Sequence, residues 1–120
     1  MSRYVRVHDV TRDTVVAERC RVAETIVQRI FGLHLLPRLT SGEALLLPGS
    51  TTIDTTFMRY PIDLIFVDRR GRVTRTVPHV PPWRMVLRTS GGRDCIELPA
   101  GAIAESRVEA GDELTFTRLD

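Results

Sequence analysis

Phe57-Met58-Arg59-Tyr60-Pro61-Ile62-Asp63-Leu64-Ile65-Phe66-Val67-Asp68-Arg69-Arg70-Gly71-Arg72-Val73 is the stretch whose reading decides the fold. Ile62–Val67 is apolar except for one acid, Asp68–Gly71 carries turn residues, and Arg72–Val77 follows with valine and threonine among its arginines. The pattern reads as a buried strand, a tight turn and a returning strand. Asp63 stands at the mouth of the apolar run. A buried carboxylate without partners costs several kcal/mol or gives up its charge, so Asp63 must be hydrogen-bonded.

Working outward, short strands dominate. Tyr4–His8 alternates and reads as a strand, Val15–Val22 reads as a second, and the turn residues Asp9–Asp13 between them make the two a hairpin. From Ala23 to Phe31 the period changes: Ala23, Ile26, Val27, Ile30 and Phe31 form one apolar helical face, stopped by Gly32. Ala44–Leu47 reads as a short buried strand, and Thr51–Phe57 as a β-branched strand with one wet face. Pro78-His79-Val80-Pro81-Pro82-Trp83 is expected to be an irregular extended loop, because proline removes ladder donors. Arg84–Leu87 and Cys95–Leu98 read as strands, Pro99–Glu105 as a short helix with Pro99 in its first turn, and Glu113–Leu119 as a last strand. The connections are too short for βαβ crossovers. The expected fold class is α+β, mostly antiparallel: a small curled sheet or barrel carrying one or two short helices.

Composition narrows the function. The 120 residues make a single domain, 1–120, and an apolar share of 42% suits an ordinary globule rather than a disordered chain. No apolar run approaches the ~20 residues that span a bilayer, and the first residues lack a signal-peptide core, so no membrane association and a cytoplasmic location are expected. The net charge is only +2, and all cationic side chains are arginines scattered among acids. Nucleic-acid binding is therefore not expected, since it needs a basic stripe with an aromatic platform. Cys20 and Cys95 stand far apart with no CxxC and read as buried small apolar residues. Neither a metal nor a cofactor is expected.

An ordered set of motifs runs along the chain: Arg29-x-x-Gly32-Leu33, Gly42-Glu43-Ala44-Leu45-Leu46, Phe57-Met58-x-x-Pro61-Ile62-Asp63-x-x-Phe66-Val67-Asp68, Pro81-x-Trp83-Arg84, Glu97-Leu98-Pro99-Ala100-Gly101 and Val108-x-x-Gly111-Asp112. In that order they closely resemble the small prokaryotic "domain of unknown function one-nine-two" family. The resemblance implies a compact β-rich fold and no assigned activity. It also implies one departure: many relatives carry a histidine before the threonine of the Thr55-x-Phe57-Met58 stretch, where this chain has Asp54.

The candidate ligand-binding residues are Asp54, Arg59, Asp63, His79, Trp83 and Arg84, with Met58 beside them as core filler. Asp63 has a structural reading, in which it accepts N–H bonds from the Met58–Pro61 loop, and a functional one as a ligand or acid–base carboxylate. Asp54 is a wet-face residue or a partner of Asp63 or Arg59. Trp83 and Arg84 can form a ligand lip, one stacking and the other charged, or a lid over the barrel end. Arg59 is an anion clamp or a surface cation, and His79 lies on a loop of the kind that often carries function. No GxSxG, phosphate-binding glycine loop or HExxH is present. The favoured expectation is a non-catalytic module binding an anionic small molecule or a peptide. The alternative is a hydrolase using Asp54 and Asp63, with a divalent metal held by oxygen ligands, which needs the two carboxylates to converge within roughly 6.5–9.5 Å or closer.

Overall fold

The computed structural model describes residues 3–23, 38–50, 52–55, 58–87 and 91–119. In chain order these form β1 (Arg3–Asp9), β2 (Thr14–Val22), β3 (Glu43–Leu47), β4 (Thr52–Asp54), β5 (Ile62–Val67), β6 (Val73–Val80), β7 (Met85–Leu87), β8 (Asp94–Pro99), α1 (Ala102–Ser106) and β9 (Leu114–Arg118). Seven strands make one sheet in the order β6-β5-β8-β3-β2-β1-β9, and β4 with β7 makes a separate two-stranded flap. The pairs are antiparallel except β2 with β3, which run parallel. That parallel pair requires a crossover, and the helix expected at Ala23–Phe31 falls in it, outside the described residues apart from Ala23.

The hairpin of the central stretch forms as its pattern dictates. Asp68 Oδ1 accepts the Arg70 and Arg72 N–H groups at 2.8 and 2.9 Å, and Gly71 N donates to Asp68 O at 3.1 Å. Gly71 has φ +83°, and a Cβ there would lie 2.6 Å from the Leu114 carbonyl oxygen, so only glycine fits. The Leu114 N–H donates to Gly71 O, Val73 N donates to Asp112 O, and Arg72 bridges Glu113. These bonds bring the β6 and β9 edges together at one end, so the sheet curls into a half-barrel.

All six β5 residues are buried, which gives the sheet two apolar faces. Ile65 and Val67 join Val5, Val7, Cys20, Ile96 and Leu98 on one face, where Ile103 of α1 packs. Ile62, Leu64 and Phe66 join Leu45, Leu47, Cys95 and the flap residues Ile53 and Val86 on the other. Both cysteines are free and buried; burial pushes the Cys20 thiol up to about 12 and holds Cys95 well above its ordinary value.

Three sequence expectations need correction. Pro78 and His79 do not lie in an irregular loop but within β6. β6 is an edge strand, so the proline's missing N–H costs no ladder bond, and a bulge between Ile62 and Leu64 absorbs the extra residue. Pro99 closes β8 instead of opening a helix; α1 starts after Gly101, whose φ of 101° breaks the strand direction. β2 and β3 pair in parallel, so the connection between them is long enough for a crossover, contrary to the expectation that every connection is too short for one.

Candidate functional site

Thr55 organises the site, although it was not among the expected site residues. It is buried just after β4. Its N–H donates to Arg84 O at 2.8 Å, its hydroxyl donates to Pro81 O at 2.7 Å, and its Oγ1 accepts the Arg84 N–H at 2.9 Å. Its carbonyl accepts both the Met58 N–H at 3.0 Å and the Trp83 N–H at 3.2 Å. One residue thereby ties the segments carrying Asp54, Arg59, Trp83 and Arg84 to a single point. A threonine adjoining a β-branched run gives little advance sign of this. The signal was the proline-rich segment opposite, whose turn at 81–84 needs a local donor and acceptor.

The flap turns Ile53 and Val86 inward; Thr52, Asp54 and Met85 face out, Asp54 opposite Met85. Trp83 has φ 64°, a conformation uncommon for a bulky residue, and is 64% exposed, while Met85 is 68% exposed. Arg84 is exposed, with Nη1 donating to Trp83 O at 3.3 Å, and Arg59 is exposed on the connection into β5. The result is an outward surface in which Trp83 adjoins Arg84 in the chain and Met85 stands opposite Asp54, with Arg59 on the segment that Thr55 holds through the Met58 N–H.

Asp63 is placed elsewhere. It is fully buried, with Oδ1 accepting the His79 N–H at 2.9 Å and Oδ2 accepting the Gly101 and Ile103 N–H groups at 3.1 and 2.9 Å. The partners are thus the β6 bulge and the first turn of α1, not the Met58–Pro61 loop. His79, at φ 50°, is exposed and held by this bond. Asp63 pairs across β5–β8 with Leu98, on the α1 face of the sheet, whereas the flap bearing Asp54 covers the opposite face. The two carboxylates therefore do not converge. Among the described residues no group of three or more His, Cys, Asp or Glu side chains could hold a metal ion.

The flap face of the sheet holds a second polar region that no sequence pattern singles out. Tyr4, Arg21, Leu45 and Glu97 are register partners in one row across β1, β2, β3 and β8. Glu97 is buried, its Oε2 has no hydrogen-bond partner among the described residues, and desolvation pushes its carboxyl up to about 7. The buried Tyr60 hydroxyl also lacks a partner among the described residues. Its pKa is raised, first by burial and then by Glu97, with Arg38 opposing. The Arg38 guanidinium lies 4.8 Å over the Tyr60 ring, and the Arg19 guanidinium lies 3.8 Å over the Tyr4 ring.

A curled mixed sheet with an appended two-stranded flap and an exposed aromatic lip defines the class: a small β-domain with buried polar groups on both faces of its sheet. The chain belongs to the DUF192 family, described as "Uncharacterized ACR", which it matches over residues 7–116. It is similar to a UPF0127 protein of Thermococcus sibiricus, 32% identical over 110 residues that cover 88% of this chain and 71% of the relative. A UPF0127 protein of Pyrococcus furiosus is 29% identical over 116 residues, covering 92% and 97%. Two solved structures share the fold. A Sinorhizobium meliloti 1021 protein, whose name provisionally calls it a transcription regulator, superposes with a TM-score of 0.80 at 19% identity, covering 97% of this chain and 94% of that one. A Novosphingobium aromaticivorans protein of unknown function gives 0.77 at 21% identity, covering 93% and 83%.

Proposed function

We propose that this chain is a non-catalytic binding module that takes an anionic small molecule or an anionic peptide segment on the β4–β7 flap. The observation that carries this reading is Trp83. A tryptophan held at positive φ costs on the order of 1–3 kcal/mol, and here the strained residue is turned outward rather than into the core. Thr55 supplies the bonds that hold it there. An indole face next to a flexible thioether stacks on flat or apolar groups, and the guanidiniums of Arg84 and Arg59 supply a fork for carboxylate or phosphate. The burial of Asp63 on the far face weighs against the hydrolase alternative, because one carboxylate alone lacks its acid–base counterpart. Two buried thiols suit a reducing compartment, consistent with a cytoplasmic setting, and no helix among the described residues is long and apolar enough to cross a membrane.

A thermal-shift screen of aromatic carboxylates and acidic peptides tests the reading. Ligands that raise the parent melting temperature should lose that effect in Arg84→Ala. The variant itself should melt close to the parent, because an exposed arginine adds little stability. A screen in which no anion moves the parent rejects the proposal.

A further inference from the structure

Beside the sheet row described above, Arg19, Arg21 and Arg38 line a cavity of about 160 Å³. Arg19 and Arg21 share a face of β2, on either side of the inward Cys20. Arg38 reaches the same space from the segment before β3. Tyr4, Leu39, Ala44 and Leu45 also line it. Glu43 is the one carboxylate among the described lining residues, and its Oε1 is already engaged by the Thr40 N–H at 2.8 Å and the Thr40 hydroxyl at 2.7 Å. Among the described residues, none of the three arginines forms an ion pair.

Two of these guanidiniums lie over aromatic rings, Arg19 over Tyr4 and Arg38 over Tyr60. A cation–π contact of this kind holds the fork in place and leaves N–H groups to donate. The third, Arg21, has a buried Nε without a hydrogen-bond partner among the described residues. A buried donor of this kind carries a desolvation cost until an acceptor meets it. Within the lining, three cations against one carboxylate leave an excess of two positive charges, which matches the −1.5 to −2 of a phosphate monoester near neutral pH. The cavity has room for about five waters at ~30 Å³ each, enough for a phosphoryl head but not for a larger body.

We propose that Arg19, Arg21 and Arg38 form a phosphoryl-binding site, separate from the flap surface. The ligand is a phosphate group, either free or as the head of a phosphomonoester whose remainder extends out of the cavity. The guanidiniums of Arg19 and Arg38 grip the equatorial oxygens, and Arg21 Nε–H donates to one of them.

The test is an NMR titration of the full chain, read at the arginine Nε–Hε signals, with inorganic phosphate in one arm and glycerol phosphate in the other. Saturable shifts of the Arg21 signal are expected in at least one arm. Tighter binding of glycerol phosphate identifies a phosphorylated small molecule, whereas equal or weaker binding identifies free phosphate. Arg21→Gln and Arg38→Gln should each weaken the binding at least tenfold, while Arg84→Ala on the flap leaves it unchanged. Using two variants guards against one that fails to fold. No saturable shift up to 50 mM of either probe (about the weak end of useful affinity), or equal affinity in the parent and in whichever glutamine variants fold, overturns the proposal. Because Arg84 is outside this site, failure here leaves the flap reading standing, and failure of the flap reading leaves this one standing.

Discussion

Replacing Asp63 by alanine should cost more stability than any other single change at the sheet's open end. The carboxylate accepts three backbone N–H groups: His79 on the β6 bulge, and Gly101 and Ile103 at the start of α1. Alanine leaves all three without an acceptor. An unsatisfied buried donor costs about 1–3 kcal/mol; the buried Ile103 N–H belongs near the top of that range and the part-buried His79 and Gly101 groups near the bottom, so the sum is roughly 3–6 kcal/mol. Against a total stability of about 5–15 kcal/mol, that is a large fraction. With a urea m-value of about 1.5 kcal/mol/M, the midpoint should fall by roughly 2–4 M. Asp63→Asn is the graded control. Its amide oxygen can keep facing Gly101 and Ile103 while its NH2 opposes only the His79 N–H, so the loss should be about 1–3 kcal/mol. Hydrogen exchange adds a local readout, since the Ile103 and Gly101 amides should lose protection first in both variants. Equal midpoints for the parent and Asp63→Ala, with those amides still protected, would refute the assignment of Asp63 as the tie between bulge and helix.

Further outcomes follow from the same geometry. Thr55→Val keeps the side-chain shape but removes the hydroxyl that serves Pro81 O and Arg84 N, so it should cost about 1–3 kcal/mol. Emission from Trp83, the sole tryptophan, should report a loosened lip before global unfolding. Gly71→Ala forces a Cβ against the Leu114 carbonyl at positive φ, and should lower the urea midpoint by an amount worth about 1–3 kcal/mol; unchanged stability would mean that the half-barrel does not close there. Glu97 gives a pH signature. Its carboxyl is raised from 4.5 to about 7 by burial, so the folded state holds the proton more tightly than the unfolded chain. Both states are protonated below about pH 4.5; the folded state loses stability as pH rises from there through 7, and a cost of about 3 kcal/mol is complete above that. Glu97→Gln should therefore be more stable than the parent at pH 8 by up to that amount, and nearly equal to it at pH 4.5, in urea melts at the two pH values.

The sequence was most legible where one periodicity ruled. The Ile62–Val67 run, the Asp68–Gly71 turn and the β1–β2 hairpin follow from alternation and turn chemistry, and the structure holds them with little displacement. Position in the sheet was not legible. Whether a strand lies at an edge decides whether Pro78 is tolerated, and that depends on a strand order fixed by contacts far apart in the chain. The same reason explains Asp63. A buried carboxylate demanding partners could be inferred, but its partners lie 16 to 40 positions away and no local pattern names them. Thr55 and Glu97 escaped for a related cause: each looks like an ordinary strand residue until its cross-strand neighbours are known. The gathering of Asp54, Trp83 and Arg84 was legible in part, since the last two flank one proline-rich segment, while its attachment to β4 through β7 was not.

The central claim is that the flap presents a binding surface around Trp83 and Arg84, and the single tryptophan allows a direct measurement. Its indole N–H gives one NMR cross-peak, which can be followed while aromatic carboxylates and acidic peptides are titrated into the parent and into Arg84→Ala. The account expects a saturable shift of that peak in the parent and binding weakened about tenfold or more in the variant, as loss of a charge-assisted contact worth about 1.5–3 kcal/mol requires. A peak that stays fixed with every anion, or that moves identically in the two proteins, would contradict it.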